Sequence, residues 1–478
     1  MLFKKNKLNL LVFTSVIIFS CKSAEKSEKT VNSKDVQESS FSVPQFFEQD
    51  FMETYWYSSA NKYSAPRNDS TNFSLPYMGK YIPETKSWGF GDAAYWNEKI
   101  KPYLDNAKAM GQKVIVDLKP GVEELSYNTH HGEVEETGGP AVKKIIEFIK
   151  TFDKHPAVLG WYVQDEPTLK FRKKASESKW DKDYVQGYHK ARAAYRLIKE
   201  KQWAGSKKPV FIGFASSPEV LSSKYKSYKD SPAFLFRYAY DIAISHFYPY
   251  RNELKVLDPI AVRYQFEKFK QVSKRFGQIG KPYILTVQAF GDGPASQEGE
   301  TWRLPTRKEF EIIALGVFAA VDDASAVGFY SRHQLEFTSP ATPQGYTKSG
   351  PEWTSEVFDP TLKIIEKLKY ALRNSTGSVP NVKNTKYGSE ISKGIRAMSY
   401  HDKRDGSYYV VAYNDNPKQE IVSSWLQPRM AGGGLTPKGK FSKAKYLNIN
   451  KEYKLSADKQ ALKLTFQGPQ VKVLQFIP

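Results

Sequence analysis

Between Phe51 and about Asn374 the chain alternates short β-rich apolar runs with longer amphipathic segments. That alternation restricts it to βα units wound around a parallel sheet. The strand runs are "METYWYS" (52 to 58), "PYMGKYI" (76 to 82), "KVIVDLK" (113 to 119), "VLGWYVQ" (158 to 164), "PVFIGFA" (209 to 215), "DIAISHF" (241 to 247), "PYILTVQAF" (282 to 290) and "AVGFYSR" (326 to 332). Eight is the number that closes a (β/α)8 barrel. The intervening segments have helical periodicity: in 140 to 151, Val142, Ile145, Ile146 and Ile149 follow i, i+3, i+4, i+7, a stripe that one helix face would bury. Segments 185 to 202, 259 to 276, 307 to 322 and 360 to 373 behave similarly, with Leu362, Ile365, Leu368 and Leu372 lining the last.

After Asn374 the pattern changes. "GIRAMSYHDKRDGSYYVVAYND" (394 to 415) reads as a hairpin turning at Arg404, Asp405 and Gly406, and the chain ends in "ALKLTFQGPQVKVLQFIP". The Gly-rich "AGGGLTPKGK" (431 to 440) reads as a loop, since no helix follows it as a phosphate cradle requires. The expected fold is therefore α/β: a (β/α)8 TIM barrel over 42 to 376, followed by a small all-β, sandwich-like domain over 388 to 478. A length of 478 residues, 40% hydrophobic and 14% aromatic, suits a large core beside a smaller one.

Residues 1 to 20 read as a signal peptide, with Lys4, Lys5 and Lys7 ahead of an apolar run from Leu8 to Phe19 that is too short to span a bilayer. Ser20 and Cys21 follow, and the run ending in a small residue and cysteine resembles a bacterial lipobox. The resemblance implies cleavage before Cys21 and acylation of its sulfur. Residues 21 to 41 then read as a disordered, polar tether. Cys21 is the only cysteine, so no intrachain disulfide can form. The expectation is a lipid-anchored monomer of the cell envelope, on the outer membrane or cell surface or in the periplasm.

Lys plus Arg number 71 against 51 Asp plus Glu, a formal net charge of +20. Such a surface concentrates anionic ligands, uronate or sulfated glycans among them, although scattered lysines also simply solvate a surface. No nucleic-acid-binding motif appears, and nucleic acid is not an expected partner. "THHG" (129 to 132) has no HExxH or clustered Cys/His around it, and there is no GxSxG elbow, Walker loop or dinucleotide fingerprint. No metal and no cofactor is expected.

The chemistry concentrates in "HPAVLGWYVQDEPTL" (155 to 169), where a strand apolar on both faces ends on Asp165 and Glu166. In a parallel barrel the C-terminal strand ends converge on the face that holds catalytic groups. Burial beside Trp161 and Tyr162 would desolvate Glu166 and favour its protonated form. "WYVQDEP" resembles the retaining glycoside hydrolases of the largest (β/α)8 clan, clan A, whose acid/base glutamate closes strand four and commonly precedes Pro. The resemblance implies that Glu166 is the general acid/base. Asp165 stands where that clan usually has Asn, and would accept a hydrogen bond from a sugar hydroxyl. The plainer alternative is a strand-to-helix turn capped by Asp165, with Pro167 forcing an extended Glu166.

The same clan puts its nucleophilic glutamate at the end of strand seven, where this chain has Gln288, which cannot form a glycosyl ester. Candidates for a second carboxylate are Asp292, Glu298, Glu300 and Glu336. A separation of roughly 5 Å would predict retention and about 6.5 to 9.5 Å inversion. The adjacent acids also resemble hexosaminidases in which Asp positions the substrate's own acetamido group as nucleophile, which removes the need for an acid on strand seven. Candidate sugar-binding residues at strand ends are Asp165, His246, Tyr248, Gln288, Trp302, Arg332 and His333, with Tyr250 and Arg303 nearby. Arginines there would pair bidentately with a uronate or sulfate. The reading is a glycoside hydrolase acting on a polysaccharide or oligosaccharide outside the cytoplasm, with an anionic glycan preferred on charge alone. Gln288 supports the alternative, a non-catalytic glycan-binding lipoprotein on a degenerate hydrolase barrel; a scaffold or adhesin would leave the strand-end acids unexplained.

Overall fold

The computed structural model describes residues 53–59, 73–82, 87–128, 133–134, 139–167, 182–221, 227–250, 259–289, 303–320, 326–330, 350–373, 395–414, 421–426, 428, 440–455 and 460–478. All of them belong to one compact unit, Val43–Pro478. Eight parallel strands form its centre: β1 (Glu53–Ser59), β2 (Phe73–Tyr77), β3 (Lys113–Asp117), β4 (Val158–Asp165), β5 (Val210–Ala215), β6 (Ile242–Phe247), β7 (Tyr283–Gln288) and β8 (Ala326–Tyr330). Each is hydrogen-bonded to its neighbours in chain order, and β1 pairs with β8 to close the ring.

Seven of the eight strands lie within about two residues of where the apolar runs put them. The second begins at Phe73, three residues before the expected Pro76. The end of that expected run, Lys80–Ile82, leaves the barrel after Gly79 and pairs with Ser87–Gly89 as a small hairpin. An apolar run counted as one strand is thus two short elements with a breaker between them.

Helices α1 (Lys101–Ala109), α2 (Pro140–Phe152), α3 (Lys182–Lys199), α4 (Pro259–Ile279), α5 (Arg307–Ala320) and α6 (Asp359–Arg373) surround the ring. On α2 the buried stripe is Val142, Ile145, Phe148, Ile149 and Phe152, each side chain contributing on the order of 1.5–3 kcal/mol by leaving water. Between β5 and β6 the described segments are only short helical turns, Ser216–Val220, Tyr228–Asp230 and Pro232–Leu235.

Helix α5 departs from the amphipathic pattern expected of it. Every residue from Ile312 to Phe318 is buried, because both its sides are covered. One side meets the barrel, and the other meets a five-stranded antiparallel sheet. That sheet is built from β9 (Ile395–His401), β10 (Tyr408–Asn414), β12 (Lys443–Tyr446), β13 (Lys451–Lys454) and β15 (Gln470–Ile477), in the order β9-β10-β15-β12-β13. Strands β11 (Ile421–Leu426) and β14 (Leu462–Gln467) pair separately. Alternation on β10 splits its burial: Tyr409, Val411 and Tyr413 join the barrel's core cluster, whereas Tyr408, Val410 and Ala412 join a second one with Leu426 and Phe466 of the small sheet. The Tyr400 hydroxyl donates to the Phe318 carbonyl of α5. The barrel's core therefore runs on into the antiparallel layer. Among the described residues no helix is long and apolar enough to cross a membrane.

Candidate active site

The C-terminal ends of β3, β4, β5 and β6 bring one cluster together: Asp117, Lys119, Tyr162, Asp165, Glu166, Gly213 and His246. Glu166, one residue past β4, has a φ of +47°. A non-glycine residue adopts that left-handed region at a cost of about 1–3 kcal/mol. Its N–H donates to the Gly213 carbonyl of β5 at 2.9 Å, so a tertiary bond overrides the extended backbone that Pro167 favours locally. The extended Glu166 of the plain turn reading is not what forms.

His246, near the end of β6, meets the acid: Nδ1 lies 3.0 Å from Glu166 Oε1 and 3.6 Å from Asp165 Oδ1. The imidazole is nearly buried, while 31% of the Glu166 side chain stays exposed. Tyr248 stacks on the ring at 5.8 Å with an interplanar angle of 15°. Burial alone would lower the ring's pKa; the Glu166 hydrogen bond and the negative charges of Asp165, Glu166 and Glu219 outweigh it, and the net direction is upward. Glu219 is itself fully buried, accepting the Ala215 N–H at 2.7 Å.

Asp165 Oδ1 accepts from the Tyr162 hydroxyl at 2.6 Å, and its Oδ2 lies 3.8 Å from Lys119 Nζ. Gly213 makes this packing possible. A Cβ there would fall on the Tyr162 hydroxyl and come within 2.8 Å of Asp165 Oδ1 and 3.0 Å of His246 Cε1. On β3, Asp117 Oδ1 accepts from Lys119 N–H at 3.0 Å, whereas its Oδ2 is buried with no side-chain hydrogen bond among the described residues. Burial pushes this carboxyl up to about 6, against the pull of the Lys119 charge.

Strand alternation sorts the two aromatic residues expected beside Glu166. Trp161 faces the helices, donating to Ser206 Oγ at 3.1 Å and packing on Phe148. Tyr162 faces the other way and reaches Asp165.

Gln288 ends β7 fully buried, its Oε1 accepting Tyr250 N–H at 2.8 Å and its Nε2 donating to the carbonyls of Tyr250 (3.1 Å) and Arg303 (2.9 Å). The amide is spent on tying together the chain that leaves β6 and the chain that approaches α5. Arg303 is also buried, in a two-pronged pair with Glu309 at 2.7 Å on each prong, and so does not present its guanidinium to a uronate or sulfate. Asp292, Glu298, Glu300, Trp302, Arg332, His333, Glu336 and Cys21 lie outside the described residues.

Sequence reasoning passed over Asp117, Lys119, Gly213 and Glu219. Asp117 had a signal, as the one acid closing the apolar run "VIVD". Gly213 and Glu219 had none, since their neighbours are distant in sequence.

Chemically the cluster holds a half-exposed carboxyl hydrogen-bonded to an imidazole, with a second acid held by a tyrosine and a lysine. That arrangement sets a solvent-accessible carboxyl and a ring nitrogen within hydrogen-bond distance of one another. No family model matches the chain, and no curated protein sequence matches it. Solved structures do resemble it. CelM2, a bifunctional glucanase-xylanase from a metagenome library, has a TM-score of 0.50 at 10% identity, covering 90% of this chain and 96% of that one. A glucosidase from Croceicoccus marinus has 0.48 at 10% identity, covering 90% and 96%, and a maltogenic α-amylase, AmyB, from Thermotoga neapolitana 0.45 at 11%, covering 89% and 99%. The likeness to CelM2 is one of fold alone.

Proposed function

We propose that the chain is a glycoside hydrolase in which Glu166 is the general acid/base, acting on a polysaccharide or oligosaccharide. The observation that carries the reading is Glu166 itself, held in a left-handed backbone at the barrel's C-terminal face with its carboxyl shared between solvent and His246. Strain of this kind persists where surrounding structure enforces it, and it clusters at working sites. In the proposed step Glu166 gives its proton to the glycosidic oxygen as the C–O bond breaks. It later takes a proton from the water that hydrolyses the sugar intermediate. His246 holds the carboxyl in place between the two steps.

The partner group on the sugar's other face is proposed from two sources. One is a carboxylate beyond the described residues, Asp292 or Glu336. The other is the substrate's own acetamido group positioned by Asp165, whose carboxylate is fixed by Tyr162. His246 and Tyr248 would line the sugar site, with Trp302, Arg332 and His333 completing it. The proposal includes a carbohydrate-facing monomer of the cell envelope, lipid-anchored at Cys21; Lys4, Lys5, Lys7 and the apolar run before Cys21 support it.

One observation favours a second reading, a glycan-binding protein on a barrel that no longer cuts. Gln288 stands at the strand-seven position and is committed to backbone. Reducing-end release from neutral, uronate-bearing, sulfated and N-acetylated polysaccharides, by the parent and by Glu166→Gln, separates the two. Release by the parent alone establishes the hydrolase. Binding without release by either protein establishes the second reading.

A further inference from the structure

A cleft of about 770 Å³ lies between the start of α5, residues 360–367 of α6 and the segment Tyr446 to Asn450 with Val471. Its floor is apolar, with Ile364, Leu447 and Val471. The walls carry Arg307, Lys308, Lys363 and Lys367 against a single acid, Glu311. Glu311 is already engaged: Oε1 accepts from Arg307 Nε and Oε2 from Asn448 Nδ2, each at 3.1 Å. The cleft is therefore strongly positive.

Lys363 and Lys367 are exposed, stand four residues apart on α6 and form no ion pair with any described residue. On the same helix Asp359 lies four residues before Lys363 and Glu366 one before Lys367, but neither acid lines the cleft. An external anion would complement the basic wall. A volume in the range of ordinary ligand pockets, open at the lip where Ile449 is exposed, suits a stretch of chain rather than a lone ion.

We infer that this cleft is a second carbohydrate site, which holds a uronate-bearing or sulfated glycan chain. The choice of an anion rests on the charges; the choice of a glycan over other polyanions rests on the hydrolase reading above.

The test is calorimetric binding of heparin, polygalacturonate and neutral dextran to the full chain, to Glu166→Gln, and to Lys363→Glu/Lys367→Glu, with Lys363→Gln/Lys367→Gln as the milder pair. The expected result is binding of a charged glycan and not of dextran, retained in Glu166→Gln, weakened more than tenfold by the charge reversal and by an intermediate factor in the neutral pair. Unchanged affinity in both lysine variants overturns the site, as does equal binding of dextran. Tighter binding of a single-stranded DNA oligomer or of phosphatidylglycerol vesicles, lost in the same variants, overturns the choice of a glycan. If the hydrolase reading alone fails, the lysine variants still lose binding.

Discussion

His246 Nδ1 lies 3.0 Å from Glu166 Oε1, and the imidazole is the more deeply buried partner of the pair. A sheltered ring held against a partly exposed acid positions that acid. His246→Asn is expected to lower kcat/KM on a released-sugar assay by about 10²-fold, the low end for acid–base machinery. The ring's pKa is raised in the folded state, so its contribution to stability is complete below the ordinary value near 6.5 and fades as pH rises through the raised value. Denaturant unfolding of parent and variant at pH 6 and 9 checks this. The parent's advantage should be larger at pH 6, and a gap that does not change with pH would show that the ring is not titrating against these acids.

Gly213→Ala adds one methyl group at the point where Tyr162, Asp165 and His246 converge. Gly213 sits in a buried β-strand, so the cost is one of space and not of backbone freedom. Overpacking of this kind costs about 1–3 kcal/mol. The urea midpoint should fall accordingly, and activity should fall much further than stability, because the displaced groups are those that hold Glu166. A variant with full activity would mean that the cluster yields without consequence.

The barrel was legible because each strand is a short apolar run bounded by breakers, and the acids at the end of "WYVQDEP" were legible because they interrupt such a run. What stayed hidden depends on contacts between strands. A glycine in "FIGFA" gives no hint that three side chains from β4 and β6 need its space. The left-handed backbone of Glu166 runs against its own neighbour, Pro167, and is set by the Gly213 carbonyl. "EIIALGVFAA" reads as one more amphipathic helix of the ring, with no hint that the antiparallel sheet covers its outer side. Gln288 read as a missing nucleophile, whereas its amide ties two loops together, a role that depends on backbone groups as far as 38 residues away.

Gln288→Glu would restore an acid to the end of β7 without restoring a site. The carboxylate would face the Tyr250 and Arg303 carbonyls that the amide now donates to. Two lost bonds and a buried charge against acceptors should cost about 2–4 kcal/mol. The expected outcome is a lower melting temperature and no gain in hydrolysis, read by calorimetry and by sugar release. A stable variant with new activity would show that this position faces the substrate after all.

Asp117 is buried, and burial pushes its pKa up from 3.8 to about 6. The folded chain therefore holds this proton more tightly than the unfolded chain, and stability falls as pH rises from about 4 to about 6. Above that window the ionised carboxylate is a standing cost. A net shift of roughly 2 units at about 1.4 kcal/mol each, the pull of Lys119 already included, puts that cost at up to about 3 kcal/mol. Asp117→Asn keeps an acceptor for the Lys119 N–H and removes the charge. It should be more stable than the parent at pH 7.5 by one to a few kcal/mol, with the advantage vanishing below about pH 4. Urea unfolding across that range measures it. An advantage that persists at pH 4 would come from packing, and a loss of stability at pH 7.5 would show that the Asp117 charge is held by Lys119 more strongly than burial opposes it.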